Sequence, residues 1–189
     1  YGIYDYNDPR FYSNFIKGYL KYSLGVSYFK DFKSSYIDND RYIKEQVLYL
    51  PNDLKKKLVD KLIFNSKPEN KDYFYDYFNN NCSTVIKDII KDLLSQYDYH
   101  NTYDSATSNK DSYRSLIYEN INKNSWGSLG IDICLGSYID QQIGSEKNTF
   151  LPEYLFEYFN SSYYSYSNND KEIEKVKLIE NIIFINKVK

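Results

Sequence analysis

Cys82 is the residue of this chain whose type and position are best suited to chemistry. It follows three asparagines and precedes a segment in which apolar residues recur with helical spacing, which predicts one apolar helix face. Those residues are Val85, Ile86, Ile89, Ile90, Leu93 and Leu94. Asn81, Ser83 and Thr84 suit the cap and first turn of such a helix, because their side-chain oxygens can accept hydrogen bonds from free backbone N–H groups. We therefore predict that Cys82 lies at the N-terminus of a helix.

A cysteine in that position can act as a nucleophile. A helix N-terminus carries about half a positive charge and unpaired amide groups, and both stabilise a thiolate. The thiolate is the nucleophilic form that cysteine proteases and acyltransferases use. The alternative interpretation is a small structural cysteine that happens to begin a helix, since free cysteine is among the most buried residue types.

The chain offers little in sequence to assist Cys82. Its one histidine, His100, lies in a polar stretch, 96–111, that we predict to be a long loop or lid. A catalytic pair would need a third group to orient the imidazole, and none is evident nearby, so a surface histidine is the better interpretation. The second cysteine, Cys134, could form a disulfide with Cys82, but two cysteines make no recognisable framework.

Composition excludes several functions. The 24 basic and 26 acidic residues are intermixed, with no basic block of the kind that binds nucleic acid. No CxxC, HExxH or histidine cluster is present, so we expect neither a metal site nor a cofactor. No segment approaches the roughly 18 to 20 apolar residues of a membrane span. The length of 189 residues, without an internal repeat, predicts one domain over 1–189.

The hydrophobic pattern predicts a mixed α+β fold. Alternating residues predict strands, helical spacing predicts helices, and proline and glycine mark helix starts and ends. The predicted strands are 1–6, one within 19–28, 41–50, the aromatic run that begins at Tyr73, and 163–166. The predicted helices are one opened by Pro9 and ended by Gly18, 29–37, one opened by Pro51, the Cys82 helix, 113–121 and 151–159.

Two segments have less regular patterns. The three glycines of 126–140 predict a tight turn packed by Trp126 that leads into a short helix. Charged and apolar residues alternate over 171–189, where we predict a helix followed by a strand. The 24 tyrosines and 11 phenylalanines make burial difficult to predict, because tyrosine can face either the core or water.

Six motifs occur in one order that resembles a known family. They are YGIYDY at 1–6, FIKGYLKYSL at 15–24, RYIKEQVLYL at 41–50, YFYDYFNNNCSTVIKDII at 73–90, WGSLGIDICLG at 126–136 and TFLPEYL at 149–155. Together they resemble the Lnb N-terminal periplasmic domain family, in the form found in Bacteroidetes-type bacteria. The resemblance extends from Tyr1 to about Leu155, and NNCST is its most specific part.

The resemblance implies a fold and an activity. Such domains are similar to the permuted papain-like, NlpC-like superfamily, in which a cysteine-bearing helix packs on an antiparallel sheet. Proteins named Lnb are bacterial lipoprotein N-acyltransferases at the periplasmic face of the inner membrane. The implied substrates are therefore a lipoprotein and a phospholipid acyl donor, with membrane attachment through regions outside this chain.

Individual residues carry over from the family. Cys82 matches the nucleophile, Asn81, Ser83 and Thr84 match its flanks, and the Cys82 N–H is a candidate oxyanion donor. Lys87 stands where the family tends to have arginine. In the family, the histidine that acts as the catalytic base for the cysteine lies in a Gly-His motif upstream of the YGIYDY-like strand. The resemblance therefore implies that this chain is an N-terminally truncated fragment and inactive in isolation.

Three functions remain open from the sequence. The first is a cysteine-dependent acyltransferase acting on lipoproteins, and the second is a papain-like peptidase or amidase. The third is a periplasmic binding or scaffold domain in which Cys82 is structural. An aromatic acyl-chain groove favours the first, a polar open cleft favours the second, and a sulfur sealed in the core favours the third.

Overall fold

A computed structural model describes residues 2–5, 7–103, 112–167 and 173–185 of the chain, apart from the side chains at 12, 16, 167 and 173. The strands β1 to β8 are Gly2–Ile3, Lys21–Leu24, Ile43–Leu48, Asp72–Phe74, Asp98–Asn101, Ser162–Ser167, Ile173–Lys177 and Ile179–Ile185. The helices α1 to α7 are Phe11–Ile16, Phe29–Asp38, Asn52–Ser66, Cys82–Leu94, Tyr113–Asn120, Trp126–Leu135 and Pro152–Asn160. Two 3-10 helices, Gly136–Asp140 and Lys147–Phe150, lie between α6 and α7.

The described strands form three small antiparallel sheets. Their strand orders are β1-β2-β4, β3-β8 and β5-β6-β7. The β3-β8 pair joins two segments that are far apart in sequence, with Ile43 opposite Ile185 and Val47 opposite Asn181. The chain is therefore a mixed fold of α-helices and small antiparallel sheets, as the hydrophobic pattern predicted.

The ends of two helices follow from simple backbone rules. Gly18 has φ of +69° directly after the C-cap of α1, a conformation that glycine adopts without the steric cost of a Cβ. Pro152 is the first residue of α7, where a missing N–H costs nothing and the fixed φ suits a helix. Both ends were predicted from these residues.

Two groups of buried side chains hold the elements together. The first core lies between α3, α4, α7 and the sheet that contains β6. Its largest members are Leu54, Leu94, Tyr158, Phe159 and Tyr164. The second core gathers α5 and the 3-10 helices around the loop before α4, through Phe78, Tyr113, Leu116, Ile139 and Phe150. Helix α4 thus begins beside the second core and ends in the first.

Three predictions from sequence are wrong. His100 lies in strand β5, which pairs with β6, and not in a loop; 104–111 of the predicted lid lie outside the described residues. Trp126 packs no turn, because it begins helix α6 with its side chain 88% exposed. The segment predicted as a helix after Lys171 contains strand β7, since its alternating residues pair with β6.

Candidate active site

Asn81 caps helix α4 through its side chain. Its Oδ1 accepts hydrogen bonds from the N–H groups of Ser83, at 2.8 Å, and Thr84, at 2.9 Å. Thr84 Oγ1 in turn accepts from the Asn81 N–H at 2.8 Å, so the two residues form a reciprocal capping box. Asn81, Ser83 and Thr84 therefore occupy the cap and first turn, where the sequence placed them.

The amide group of Asn81 also ties this turn to a distant part of the chain. Its Nδ2 donates to the carbonyl oxygens of Tyr77, at 2.7 Å, and Phe150, at 2.9 Å. Two backbone donors face one end of the amide and two carbonyls face the other, which fixes its orientation. Asn81 is only 6% exposed, so all four hydrogen bonds are shielded from water.

Cys82 is the first residue of α4, and its side chain is exposed. The Asn81 oxygen is taken by the N–H groups of Ser83 and Thr84. The Cys82 N–H therefore keeps no partner among the described residues and is one of the free donors of the helix start. A reachable sulfur thus lies beside an available backbone donor, at the positive end of the helix.

The sulfur faces the small β1-β2-β4 sheet. A Cβ placed on Gly2 would lie 3.6 Å from Cys82 Sγ, 3.2 Å from Tyr73 Oη and 3.7 Å from Tyr22 Cδ2. These three atoms therefore surround the position that a side chain at residue 2 would occupy. Because residue 2 is glycine, that position in front of the sulfur is left open. Tyr22, Tyr73 and Tyr75 form the aromatic side of this space, hereafter the tyrosine wall, with Tyr22 and Tyr75 in edge contact at 4.4 Å between ring centres.

The tyrosine wall keeps its protons at neutral pH. Burial is the main cause that raises the pKa of Tyr73 to about 12, and the charge of Cys82 and a hydrogen bond with Cys82 also contribute to this rise. Burial, followed by interaction with Tyr4 and Cys82, raises the pKa of Tyr22, and burial is also the main cause that raises the pKa of Tyr75. The Tyr73 hydroxyl is therefore a proton donor next to the sulfur throughout the neutral range.

A cleft of about 460 Å³ lies along the first turns of α4. Thr84, Lys87 and Glu146 are among its lining residues. Lys87 is largely buried, and its Nζ lies 3.7 Å from Glu146 Oε1 and 3.8 Å from Asp88 Oδ1. A hydrogen bond from Lys91, and then the charges of both lysines, lower the pKa of Glu146. The cleft therefore contains an ion-pair network on one side of the helix start.

The structure does not bring His100 to Cys82. His100 is in β5, beyond the C-terminal end of α4, and its Nε2 lies 2.9 Å from Asp98 Oδ2. Cys134 is a second free, exposed cysteine on α6, and the two cysteines form no disulfide. Among the described residues, no three His, Cys, Asp or Glu side chains are grouped as metal ligands.

Sequence reasoning missed the residues that face the sulfur. Tyr73 and Tyr75 are two positions apart in an extended segment, so they point to the same side. That alternation was visible, but nothing in the sequence showed that this side faces Cys82. Gly2 and Tyr22 come from β1 and β2, and their approach depends on strand pairing: Gly2 lies opposite Leu24, and Tyr22 lies opposite Tyr73.

Residues 3–118 match the family model of the Lnb N-terminal periplasmic domain. This segment is more than half of the chain and includes Cys82, its cap and the tyrosine wall. The chain belongs to this family. No curated protein and no solved structure matches the chain.

Membership of the Lnb family indicates a periplasmic location, because the family is defined as a periplasmic domain. None of the helices that the structure describes has the length and the apolar character needed to cross a membrane. The match ends inside α5, whereas Phe150, which holds the Asn81 amide, lies beyond it. The local structure of the Lnb-type site therefore uses residues on both sides of the matched boundary.

Proposed function

We propose that this Lnb-family domain carries a cysteine-dependent acyltransferase that modifies bacterial lipoproteins at the periplasmic face of the inner membrane. The observation that carries the proposal is the exposed Cys82 side chain at the first position of a firmly capped helix. A papain-like arrangement, with the nucleophile at a helix start facing an antiparallel sheet, is part of the proposal. A purely structural role for Cys82 is disfavoured, because its side chain is not sealed in a core.

The reaction has two steps. In the first, the Cys82 thiolate attacks the carbonyl carbon of an acyl ester, a C–S bond forms, and the ester C–O bond breaks. The leaving alkoxide takes a proton from water. In the second step an amine attacks the thioester, a C–N bond forms, and the C–S bond breaks. The amine loses a proton to solvent and the thiolate is restored, so the product is an amide.

Two groups of this chain are placed to assist both steps. The Cys82 N–H has no partner among the described residues, so it can donate to the oxygen that becomes negative as the carbonyl is attacked. The Tyr73 hydroxyl can donate to the same oxygen or to the thiolate, because it faces the same open point in front of Gly2. The tyrosine wall offers an aromatic surface to an acyl chain.

Hydrolysis of a peptide or amide bond is the second candidate. It is favoured by the cleft of about 460 Å³ beside the helix start, whose Lys87 and Glu146 suit a polar ligand. Both candidates use the same thioester chemistry at Cys82 and differ in whether an amine or water attacks it. The product therefore distinguishes them, since transfer gives a new amide and hydrolysis gives a free acid.

The test is acyl transfer by the full-length natural protein with a labelled phospholipid or lipopeptide donor and an amine acceptor. Cys82→Ala should lower the rate at least about a thousand-fold, because the variant lacks the thiol that accepts the acyl group in the proposed first step. Cys134→Ala is the matched control and should retain the parent rate within about two-fold. Equal activity of Cys82→Ala and the parent would refute the proposal, and a free acid as the only product would favour hydrolysis.

A further inference from the structure

Helix α6 presents an apolar face to solvent. Trp126 is 88% exposed, Leu129 is 47% exposed and Ile133 is 74% exposed. Their spacing of three and then four residues places them on one side of the helix. These three side chains, hereafter the α6 face, are neighbours on one exposed side of the helix.

The α6 face is held in a fixed position by the residues behind it. Ile131 and Leu135, on the opposite side of the helix, pack against the second core. Ser125 caps the helix, with its Oγ accepting a hydrogen bond from the Ser128 N–H at 3.1 Å. The exposed apolar side chains are therefore part of a packed helix and not of a loose segment.

The charges around the α6 face are arranged asymmetrically. Asp132, the one charged residue within α6, accepts hydrogen bonds from Arg114 and Tyr118. Asp140 is also bound by Arg114, so these two carboxylates are compensated. Lys123 lies just before α6 and, with Trp126 and Leu129, lines a shallow cleft of about 330 Å³. The apolar face therefore has a cation at its edge and carries no charge itself.

The size of the face limits what can cover it. A helix of ten residues is about 15 Å long and about 10 Å wide, so one face covers roughly 150 Å². A stable protein dimer needs about 800 Å² from each partner. A lipid surface sets no such minimum area, because binding scales with the apolar area that enters the interface and with the attraction of nearby cations to anionic headgroups, so a small face gives weak, reversible binding.

We propose that the α6 face docks on an anionic lipid membrane, with Trp126, Leu129 and Ile133 in the headgroup region and Lys123 beside lipid phosphates. The inference goes beyond acyl transfer and does not depend on Cys82. A Cys82→Ala variant should therefore bind vesicles as the parent does, so failure of the proposed chemistry and failure of the docking surface are distinguishable.

Trp126 makes the experiment direct, because it is the only tryptophan among the 189 residues. Vesicles of phosphatidylethanolamine and phosphatidylglycerol should move its emission to shorter wavelength. Brominated lipids should quench that emission as the indole enters the headgroup region. Vesicles of phosphatidylcholine alone should bind more weakly, since they offer Lys123 no net negative charge.

Variants then identify the surface. Ile133→Ser should lower the vesicle partition coefficient about ten-fold, because an interfacial aliphatic side chain is lost. Val26→Ser is the matched control, since Val26 is also 74% exposed but belongs to the loop between β2 and α2, and it should stay within about two-fold of the parent. Lys123→Gln should weaken binding to anionic vesicles about five-fold.

Two outcomes would overturn the proposal. One is a Trp126 emission spectrum that vesicles of either composition leave unchanged. The other is a shift that appears without lipid, rises with protein concentration and accompanies a dimer in sedimentation velocity. That second result would assign the α6 face to contact between copies of the chain.

Discussion

The two cysteines of this chain are both free and exposed, but they lie at opposite ends of their helices. Cys82 is the first residue of α4, and Cys134 is the penultimate residue of α6. The helix dipole stabilises negative charge at an N-terminus and disfavours it at a C-terminus. Exposure alone therefore does not identify a nucleophile in this fold, and the end of the helix that carries the thiol must also be considered.

The surroundings of the two cysteines differ as well. Cys82 follows a buried cap with four hydrogen bonds and faces three tyrosines. Cys134 lies between Ile133, which is exposed, and Leu135, which packs against the second core, and a Cβ added at Gly130 of the same helix would meet nothing within 4 Å. One site is rigid and polar, whereas the other is an apolar surface.

The largest expected difference is in thiol reactivity. Iodoacetamide at neutral pH should alkylate Cys82 about ten-fold faster than Cys134, because Cys82 lies at the positive end of α4 and Cys134 lies near the negative end of α6. Mass spectrometry of the two tryptic peptides measures both rates in one sample. In urea the rates should converge, and equal rates in the folded protein would remove the basis of the comparison.

The two helix caps should differ in their contribution to stability. Asn81→Ala should lower the free energy of unfolding by about 2 kcal/mol, because it frees two N–H groups and leaves two carbonyl oxygens without their donor. Ser125→Ala, which frees one N–H of α6, should cost about 1 kcal/mol. Urea unfolding followed by circular dichroism compares them. A larger loss in Ser125→Ala would contradict the assigned roles.

Glycine substitutions should affect the two thiols differently. Gly2→Ala puts a methyl group 3.2 Å from Tyr73 Oη and 3.6 Å from Cys82 Sγ, so alkylation of Cys82 should slow about five-fold through steric hindrance. Gly130→Ala meets nothing within 4 Å and should leave the reactivity of Cys134 unchanged. Competition labelling measures both, and an unaffected Cys82 would show that β1 moves aside.

The smallest effect concerns alkaline pH. The pKa of Tyr73 is about 12 in the folded chain against 10.0 for the free group, so the folded state holds its proton more tightly. This contribution to stability is complete below pH 10 and is lost as pH rises from 10 to 12. Tyr73→Phe should therefore lose stability less steeply over that range than the parent. Tyr19→Phe, which removes an exposed hydroxyl, is the control in urea titrations, and parallel curves for all three proteins would contradict the assignment.

Local patterns predicted the start of α4 well. The apolar spacing after Cys82 and the polar residues around it were sufficient to place the start of α4, because capping depends on near neighbours. The tyrosine wall could not be predicted, since it requires the pairing of β1, β2 and β4 across 70 residues. The pairing of β5 with β6 is also long-range, since it joins Asp98 to Ser165, which explains why His100 was placed in a loop.

Trp126 shows a different limit of sequence reasoning. A large aromatic residue next to glycines was interpreted as a packed turn, because burial is the usual fate of tryptophan. In the structure the buried side of α6 is supplied by Ile131 and Leu135, and Trp126 is left outside. The sequence contained both apolar faces of this helix, and composition alone could not tell which one meets the core.

The hydrogen bond to the carbonyl of Phe150 determines which residues an expressed version of this domain must include. This carbonyl completes the start of α4 from a point 69 residues downstream, outside the segment that defines the family. Strand β8 likewise supplies the partner of β3. Expression clones or chimaeras trimmed to residues 3–118 would discard both supports, so useful boundaries for this protein must extend at least to Ile185.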